Sequence, residues 1–228
     1  MRRSLLAALA LMLAGCSDGA VNPIVGAAVQ EVLPGRGAPE AAPAAAPLTR
    51  EAITRADVAT IRARLLGDER PTILFAASEN GGYVTYASSI RQALTLRGSQ
   101  ITASRGLGHD LLSATSSGPD PLATPIPPAQ WPAGVVRSYE FSGFAPQGRV
   151  ETYRCRFEFG EVREVTILQV RHRGVEIAEI CEGPAGRFEN LHLADVETGF
   201  VWRSLQWLGT GQGLVDLEVV LPFTGRRS

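Results

Sequence analysis

The chain has 228 residues, of which 45% are hydrophobic, and its 22 basic residues nearly balance its 23 acidic ones. This length suits one sizeable domain with an appendage, and the near-zero net charge indicates neither a nucleic-acid partner nor a basic membrane-binding surface. Every basic residue is Arg, which excludes a Schiff-base lysine, a Ser–Lys dyad and the lysine of a phosphate-binding P-loop.

Residues 1–15 are typical of a signal peptide, with two arginines at the start, an apolar run and a small-residue exit. The run of about ten apolar residues is shorter than the roughly twenty that a spanning helix needs. Leu13-Ala14-Gly15-Cys16 resembles the lipobox of bacterial lipoproteins, which implies cleavage before Cys16 and acyl chains on that cysteine. Several acyl chains hold a protein durably to lipid. Ser17, where an Asp would retain an enteric-type lipoprotein in the inner membrane, favours the periplasmic face of the outer membrane.

Residues 16–47 are rich in Ala, Pro and Gly. Such a composition cannot bury enough apolar surface to offset the entropy of ordering, so we predict a disordered tether after the acylated cysteine. About 30 residues at up to roughly 3 Å each would hold the next domain several tens of ångströms from the bilayer. Residues 48–228 then form a single β-rich domain.

The folded part is expected to open with one helix. Thr49 is a suitable N-cap, and Gly67 with Pro71 would end the helix. The apolar residues that recur at helical spacing are Ile53, Val58, Ile61, Leu65 and Leu66.

Beyond the helix the apolar period shifts towards two, which predicts strands. Residues 113–134 are expected to be a loop, and a turn near residues 173–174 is expected to split residues 164–181 into two strands. The other predicted strands are residues 72–76, 82–86, 92–96, 100–104, 148–159, 188–196, 200–207 and 214–221. Strands this frequent predict a mainly β fold, an antiparallel sheet curled into a sandwich or partial barrel, with one N-terminal helix.

Cys155 and Cys181 are the cysteines left after Cys16. An even pair in an exported protein predicts one disulfide. Cys155 shares the apolar face of its strand with Tyr153, Phe157 and Phe159, which suits a bridge between strands. A metal site is the alternative, but neither cysteine has a C-x-x-C partner or a clustered His, so we predict no metal.

The string from Arg105 to Ser113 contains His109 and Asp110, and with Ser113 these are the residue types of a hydrolase triad. Adjacent His and Asp rarely form the base–orienter pair of a triad, and the chain has no G-x-S-x-G elbow. The other interpretation is structural: Gly106 and Gly108 would shape a turn, Asp110 would cap a short helical turn, and backbone groups would hold His109.

A second candidate binding segment is Trp202-Arg203-Ser204-Leu205-Gln206-Trp207, together with Trp131 and Tyr139. Aromatic faces stack on sugar C–H groups, while Arg203 and Gln206 would bind hydroxyls or carboxylates. Trp and Tyr are equally what a β-core or a protein interface uses, so both interpretations of Trp202 and Trp207 stay open.

An ordered set of motifs resembles the YjbF family of lipoproteins, also called the group 4 capsule polysaccharide lipoprotein or GfcB family. The set covers about residues 49–222 in addition to the lipobox. Its members are Arg70-Pro71, Ile73-Leu74-Phe75-Ala76-Ala77, Asn80-Gly81-Gly82-Tyr83-Val84-Thr85-Tyr86, Arg91-Gln92, Thr95-Leu96-Arg97-Gly98, Thr102-Ala103-Ser104-Arg105-Gly106-Leu107-Gly108-His109-Asp110-Leu111, Asp120-Pro121-Leu122 and Val201-Trp202-Arg203-Ser204-Leu205-Gln206-Trp207-Leu208-Gly209.

The resemblance implies a mostly β domain on the periplasmic side of the outer membrane and a role in making or exporting capsular or extracellular polysaccharide. It also implies a periplasmic partner and a large outer-membrane β-barrel partner, and it supplies no catalytic residue and no cofactor. Our leading hypothesis is a non-enzymatic accessory of polysaccharide export that binds such a barrel, with the passing polysaccharide as a second candidate ligand. Residues 123–132 form a loop that could serve a different partner. The rivals are a polysaccharide-modifying enzyme centred on His109 and Asp110, and a purely structural envelope lipoprotein.

Overall fold

The computed structural model describes residues 49–142 and 148–225. The predicted signal peptide, the lipidation site Cys16 and the tether of residues 16–47 lie outside the described residues. No helix in the described part of the chain is long and apolar enough to cross a membrane.

In the part of the chain that the structure describes, twelve strands make one sheet, which confirms the mainly β prediction. The strands are Thr60–Leu65 (β1), Thr72–Asn80 (β2), Tyr83–Ala87 (β3), Ala93–Arg97 (β4), Gln100–Arg105 (β5), Leu111–Ser117 (β6), Gly134–Phe141 (β7), Arg149–Ile167 (β8), Val170–Gly183 (β9), Gly186–Asp195 (β10), Val201–Trp207 (β11) and Leu214–Leu221 (β12).

The sheet is antiparallel throughout and curls until its two ends meet. Its order is β5-β4-β3-β2-β1-β12-β11-β10-β9-β8-β7-β6, so β5 and β6 are the end strands. The Leu111 N–H donates to Ser104 Oγ over 2.9 Å, and Arg105 Nη1 donates to the Leu111 carbonyl over 3.2 Å. These contacts join β6 to β5, so the sheet is nearly closed into a barrel, which is the second of the two predicted alternatives, sandwich or partial barrel.

The N-terminal helix α1 (Arg50–Ala56) is shorter than predicted. Thr49 is its N-cap, since Thr49 Oγ1 accepts from the Ala52 N–H, but Asp57 ends it in the left-handed region with φ of 49°. The helical prediction for residues 58–66 is wrong because residues 60–65 form β1, between β2 and β12. Ile61 and Leu65 fit a helical period and a strand period equally well, and pairing with two neighbours decides for the strand.

Two further boundaries differ from prediction. Residues 113–134 are not all loop, because β6 runs to Ser117 and β7 begins at Gly134. The hairpin between β8 and β9 turns at Leu168 and Gln169, which have φ of 41° and 72°, and not at residues 173–174. Gly174 instead lies inside β9, where a Cβ would come within 2.7 Å of the Ala194 carbonyl oxygen on β10.

Cys155 and Cys181 form the predicted disulfide. They are directly opposite each other on β8 and β9, with 4.0 Å between their Cα atoms, and both are buried. Tyr153, Cys155 and Phe157 face the core as predicted, whereas Phe159 is 50% exposed.

The barrel interior is filled by side chains. A cluster of rings occupies it, in which Phe188 stacks on Trp207 at 4.2 Å between centroids and Tyr139 meets Trp207 edge-on at 5.4 Å. The other rings of this cluster are Phe141 and Tyr153. Their packing makes the interior a core.

Residues 118–133, which we call the closing loop, lie across one end of the barrel. Its Asp120, Leu122 and Trp131 are buried. The loop passes so close to two turns that a side chain there would collide with it: a Cβ at Gly98 would lie 2.7 Å from the Ala123 carbonyl oxygen, and a Cβ at Gly199 would overlap the Ile126 carbonyl. The loop is therefore seated against the turns by close backbone approach.

Gly199→Ala tests this seating. Gly199 has φ of 72°, and Gly213 has φ of 77° but no atom within 4 Å of a Cβ. Both substitutions place an alanine in the left-handed region, which costs about 1–2 kcal/mol of stability. Only Gly199→Ala also displaces the closing loop. We expect Gly199→Ala to lose at least about 3 kcal/mol in urea unfolding and Gly213→Ala only the backbone penalty. Equal losses would show that the loop yields freely.

Candidate functional site

The predicted loop with Asp110 is a backbone-capping turn. Oxygens of the Asp110 carboxylate accept from the Gly106 N–H at 2.9 Å, the Leu107 N–H at 3.1 Å and the Ser104 hydroxyl at 3.2 Å. The predicted helical turn is wrong, because β6 begins directly afterwards at Leu111. The glycine-shaped turn is present, and Asp110 holds it together.

His109 is exposed at the surface of this turn. Its N–H donates to Gln212 Oε1 at 3.2 Å, and its ring packs so close to Gly211 that a Cβ there would be 3.0 Å from Nδ1. Within residues 49–142 and 148–225, no hydrogen bond links the His109 ring to a carboxylate. Since Asp110 is committed to backbone groups, the turn does not provide the oriented base that a triad requires. Arg105, from the same string, donates to the carbonyls of Ser104 and Leu111.

The segment of residues 202–207 divides between the two faces of β11. Trp207 lies in the ring cluster of the core. Gln206 is also internal: its Nε2 donates to the Ser99 carbonyl at 2.8 Å, and its Oε1 accepts from the Ile101 N–H at 3.0 Å. Trp202 and Arg203 are partly exposed on the outer face. The predicted binding residues therefore do not form one platform.

Trp202 helps to hold the end of the β8–β9 hairpin against the outer face of the sheet. Ile53 of α1, Ile167 and Val220 make a second buried cluster, and Trp202 packs on it. His172 stacks on Trp202 with 3.9 Å between ring centroids. We name residues 158–176 the arm: here the β8–β9 hairpin continues past the end of β7, while its β9 strand still pairs with β10 from Gly174 onward.

Beside the arm, the outer face of β1, β12 and β11 carries a ladder of cross-strand ion pairs. Arg203 donates to both oxygens of Asp216 at 2.9 and 2.8 Å, and Arg64 donates to Asp216 at 3.2 Å. Arg62 is paired with Glu218. Burial by itself would raise the pKa of Asp216, but the guanidiniums of Arg203 and Arg64 lower it by more, so the pKa falls below its usual value. This carboxylate therefore stays charged between its two arginines.

The arm and the ladder enclose a groove of about 410 Å³, a volume in the range of small-ligand sites. Its charged lining is Arg64, Arg163, Arg203, Glu164, Glu176 and Asp216. Its leucines are Leu66, Leu191, Leu193 and Leu205. We take this outer groove as the candidate functional site, and Arg203 is the one predicted binding residue that lines it.

Inside the barrel lies a separate ion cluster centred on Arg137, which is 1% exposed. Its Nη1 donates to Asp120 Oδ2 at 2.8 Å, and its Nε donates to Glu179 Oε1. Glu179 Oε2 accepts from Asn190 at 2.9 Å and lies 3.0 Å from His192 Nε2. The cluster connects β7, β9, β10 and the closing loop, and its burial marks it as a structural element rather than an open site.

Burial alone would raise the pKa of Glu179, but the Arg137 charge and the bonds from His192 and Asn190 lower it to about 2. The same guanidinium outweighs burial at Asp120 and lowers the pKa of that carboxyl. Both carboxylates are therefore ionised at neutral pH, and Arg137 is the charge that keeps them so.

One group in the described residues brings metal-ligand atoms together: Cys155, Glu179 and Cys181, whose ligand atoms lie within 4.8 Å of one another. The two sulfurs are bonded in the disulfide and are not the thiolates that a metal would need. This geometry fits a structural disulfide beside the ion cluster.

The sequence interpretation did not identify Arg137, Glu179, Arg64 or Asp216. A signal for Arg137 existed, because Val135, Tyr139 and Phe141 alternate around it at strand spacing and place it on the buried face. Arg64 and Asp216 carried no such signal, since they are 152 residues apart and meet only through strand pairing.

Comparison with protein-family models matches residues 25–220 to the family described as group 4 capsule polysaccharide lipoprotein gfcB, YjbF. Comparison with curated proteins finds no match. Among solved structures, the chain is similar to the hypothetical lipoprotein YmcC of Escherichia coli K12, with 21% sequence identity and a TM-score of 0.62 over 72% of this chain and 87% of that chain. At this identity the likeness shows a shared fold.

Replacing Arg137 with Met would leave two carboxylates buried without their cation, and we expect a loss of about 3–5 kcal/mol in unfolding free energy. The lowered pKa of Glu179 adds stability that is full above about 4.5 and is lost as pH falls towards about 2. The difference in unfolding free energy between wild type and Arg137→Met should therefore be largest at neutral pH and should become smaller on acidification. The exposed Arg154→Met is the control, and a difference independent of pH would contradict the assignment.

His172 makes the docking of the arm sensitive to acid. Burial and then the Arg50 charge lower its pKa below 6.5, and Asp195 opposes them only in part. In the described part of the chain, Nε2 of this ring has no hydrogen-bond partner. Because the folded pKa is depressed, this stability is present above about 6.5 and is lost as pH falls below it.

We expect urea titrations at pH about 7.5 and about 5.5 to show that His172→Gln loses less unfolding free energy on acidification than wild type does. His109→Gln, at an exposed ring, should behave as wild type. If all three proteins lost the same unfolding free energy on acidification, His172 would not be the source of the acid sensitivity.

Proposed function

The chain belongs to the group 4 capsule polysaccharide lipoprotein family, YjbF, and from this membership we propose that it is a non-enzymatic accessory of polysaccharide export that binds an outer-membrane β-barrel protein. The family assigns the chain to capsule or polysaccharide processes and to a membrane-anchored place in the cell envelope. Attachment to the outer membrane through Cys16 is part of the proposal, as is a periplasmic export protein as a second partner.

The observation that carries partner binding is a free strand edge on the arm. β7 pairs with β8 only as far as Arg156, and one more backbone bond runs from the Phe157 N–H to the Ala133 carbonyl. Residues 158–164 are all exposed, and no other strand of the described residues pairs with that edge. Unpaired N–H and C=O groups on a strand edge are what an added strand from another protein binds. On this edge they lie on either side of the β-bulge between Phe159 and Val162.

The side chains of this edge include three carboxylates, those of Glu158, Glu161 and Glu164, which disfavour one way of pairing with a second copy of the same chain. Antiparallel self-pairing centred on Glu161 would place Glu158 opposite Glu164 and Glu161 opposite itself, and like charges directly opposite are destabilising. Phe159 and Val162 are 50% and 46% exposed, and a docked strand would cover them. An extended strand with basic side chains fits both features.

The non-enzymatic part of the proposal is supported by the state of the predicted catalytic residues. Asp110 is bound to the backbone of its own turn, and the His109 ring packs on Gly211. The outer groove is lined by ion pairs and leucines, which suits reversible binding. A purely structural envelope lipoprotein would have no use for a free edge beside such a groove.

A photo-crosslinking amino acid at position 162 tests the proposal in polysaccharide-producing cells. We expect an adduct with an outer-membrane β-barrel protein, because position 162 lies on the free edge. Val150 is the matched control: it is an exposed Val at 63%, but its stretch of β8 is paired with β7. The double change Glu158→Lys and Glu161→Lys, at two exposed edge residues outside the groove, should weaken the adduct at 162, whereas Glu189→Lys on β10 should not.

Two results would refute the proposal. One is an adduct pattern at position 162 that lacks any β-barrel protein or equals that at position 150. The other is unchanged polysaccharide export after the gene is deleted under producing conditions.

A further inference from the structure

The outer groove offers a ligand both hydrogen-bond donors and acceptors. Arg203 donates two N–H groups to Asp216, and Arg64 donates one. A guanidinium has five N–H donors, and these two side chains are 42% and 35% exposed. Donors are therefore left over on the floor of the groove, held in position by the Asp216 carboxylate between them.

The charges of the groove balance. Three arginines, Arg64, Arg163 and Arg203, stand against three carboxylates, Glu164, Glu176 and Asp216. Arg163 lies 3.3 Å from Glu176 on the arm, so the wall is paired as the floor is. A polyanion would bind this groove weakly, because each arginine already has a neighbouring carboxylate and these carboxylates would repel the negatively charged ligand.

Between the ion pairs the groove has apolar ground. Leu191 is 37% and Leu66 is 51% exposed, and Leu205 lies next to Arg203 on β11. A ligand that matches this surface must combine C–H faces with many hydroxyls that both donate and accept. An uncharged sugar chain has this combination, whereas a purely apolar segment would leave the ion pairs desolvated without partners.

We propose that the outer groove binds an uncharged, hydroxyl-rich stretch of polysaccharide, with hydroxyls bound by Arg64, Arg163, Arg203 and Asp216 and C–H faces resting on Leu191 and Leu205. This inference rests on the proposed function and names the ligand of its candidate site. The arm carries both the groove wall at Arg163 and the free edge at Val162, so sugar chain and protein partner would meet on opposite sides of one hairpin.

The full-length lipoprotein in detergent is titrated with neutral gluco-, galacto- and manno-hexasaccharides, and binding is followed by saturation-transfer NMR. We expect saturable binding of at least one of them, at least about tenfold weaker in the double variant Arg163→Ala and Arg203→Ala. The matched control is Arg154→Ala with Arg187→Ala, two exposed arginines on β8 and β10 outside the groove. The single variant Arg163→Ala, on the exposed arm, serves if the double variant is unstable.

Three comparisons decide the outcome. Raising NaCl from about 50 mM to about 300 mM should leave neutral-sugar binding nearly unchanged, because no net charge drives it. Preferential, salt-sensitive binding of hexagalacturonate would overturn the uncharged ligand. Absence of saturable binding by all three neutral sugars, or equal binding by groove and control variants, would overturn the site. The crosslink at position 162 should persist in the single variant Arg203→Ala, which changes the groove on β11 and leaves the edge of the arm intact, so failure of sugar binding is distinct from failure of partner binding.

Discussion

One buried guanidinium determines how the parts of this domain fit together. Arg137 lies between Asp120 of the closing loop and Glu179 of β9, and Glu179 in turn binds Asn190 and His192 of β10. Each of these groups would be costly to bury without the others. The cluster therefore fixes which residues of three strands face inward, and it ties the loop that covers the end of the barrel to the strands beneath it. Hydrophobic side chains fill the remaining space but are less selective about register.

The outer face is organised by different interactions. There the arm is held by a small apolar cluster with α1 and Trp202, and the neighbouring strands are held by shared ion pairs around Asp216. The inner cluster makes a rigid wall, while the outer contacts are partly exposed and leave a groove between arm and wall. A binding surface with polar and apolar parts gains from such support, because little entropy is then lost in ordering the site when a ligand binds.

Local patterns in the sequence predicted those features that depend on neighbours along the chain. Thr49 caps α1, and Cys155 lies on the apolar face of β8. Residues 60–65 were misassigned because Ile61 and Leu65 satisfy two periods, and only pairing with β2 and β12 resolves them. The groove could not be predicted at all: its floor joins Arg64 to Asp216, which are 152 residues apart. Arg137 and Glu179, 42 residues apart, meet because β7 and β9 pair with the two edges of β8.

The disulfide has a mechanical consequence. If the proposed anchor and the proposed partner pull on this domain from two sides, tension reaches the arm, and tension on a hairpin opens its hydrogen bonds one pair at a time from the end that is pulled. Cys155 and Cys181 are opposite each other near the root of the arm, with a sequence separation of 26. Unzipping that starts at the tip must stop at this covalent rung. The arm could therefore yield under load and reform, while the ion cluster beside the rung and the barrel wall behind it stay intact.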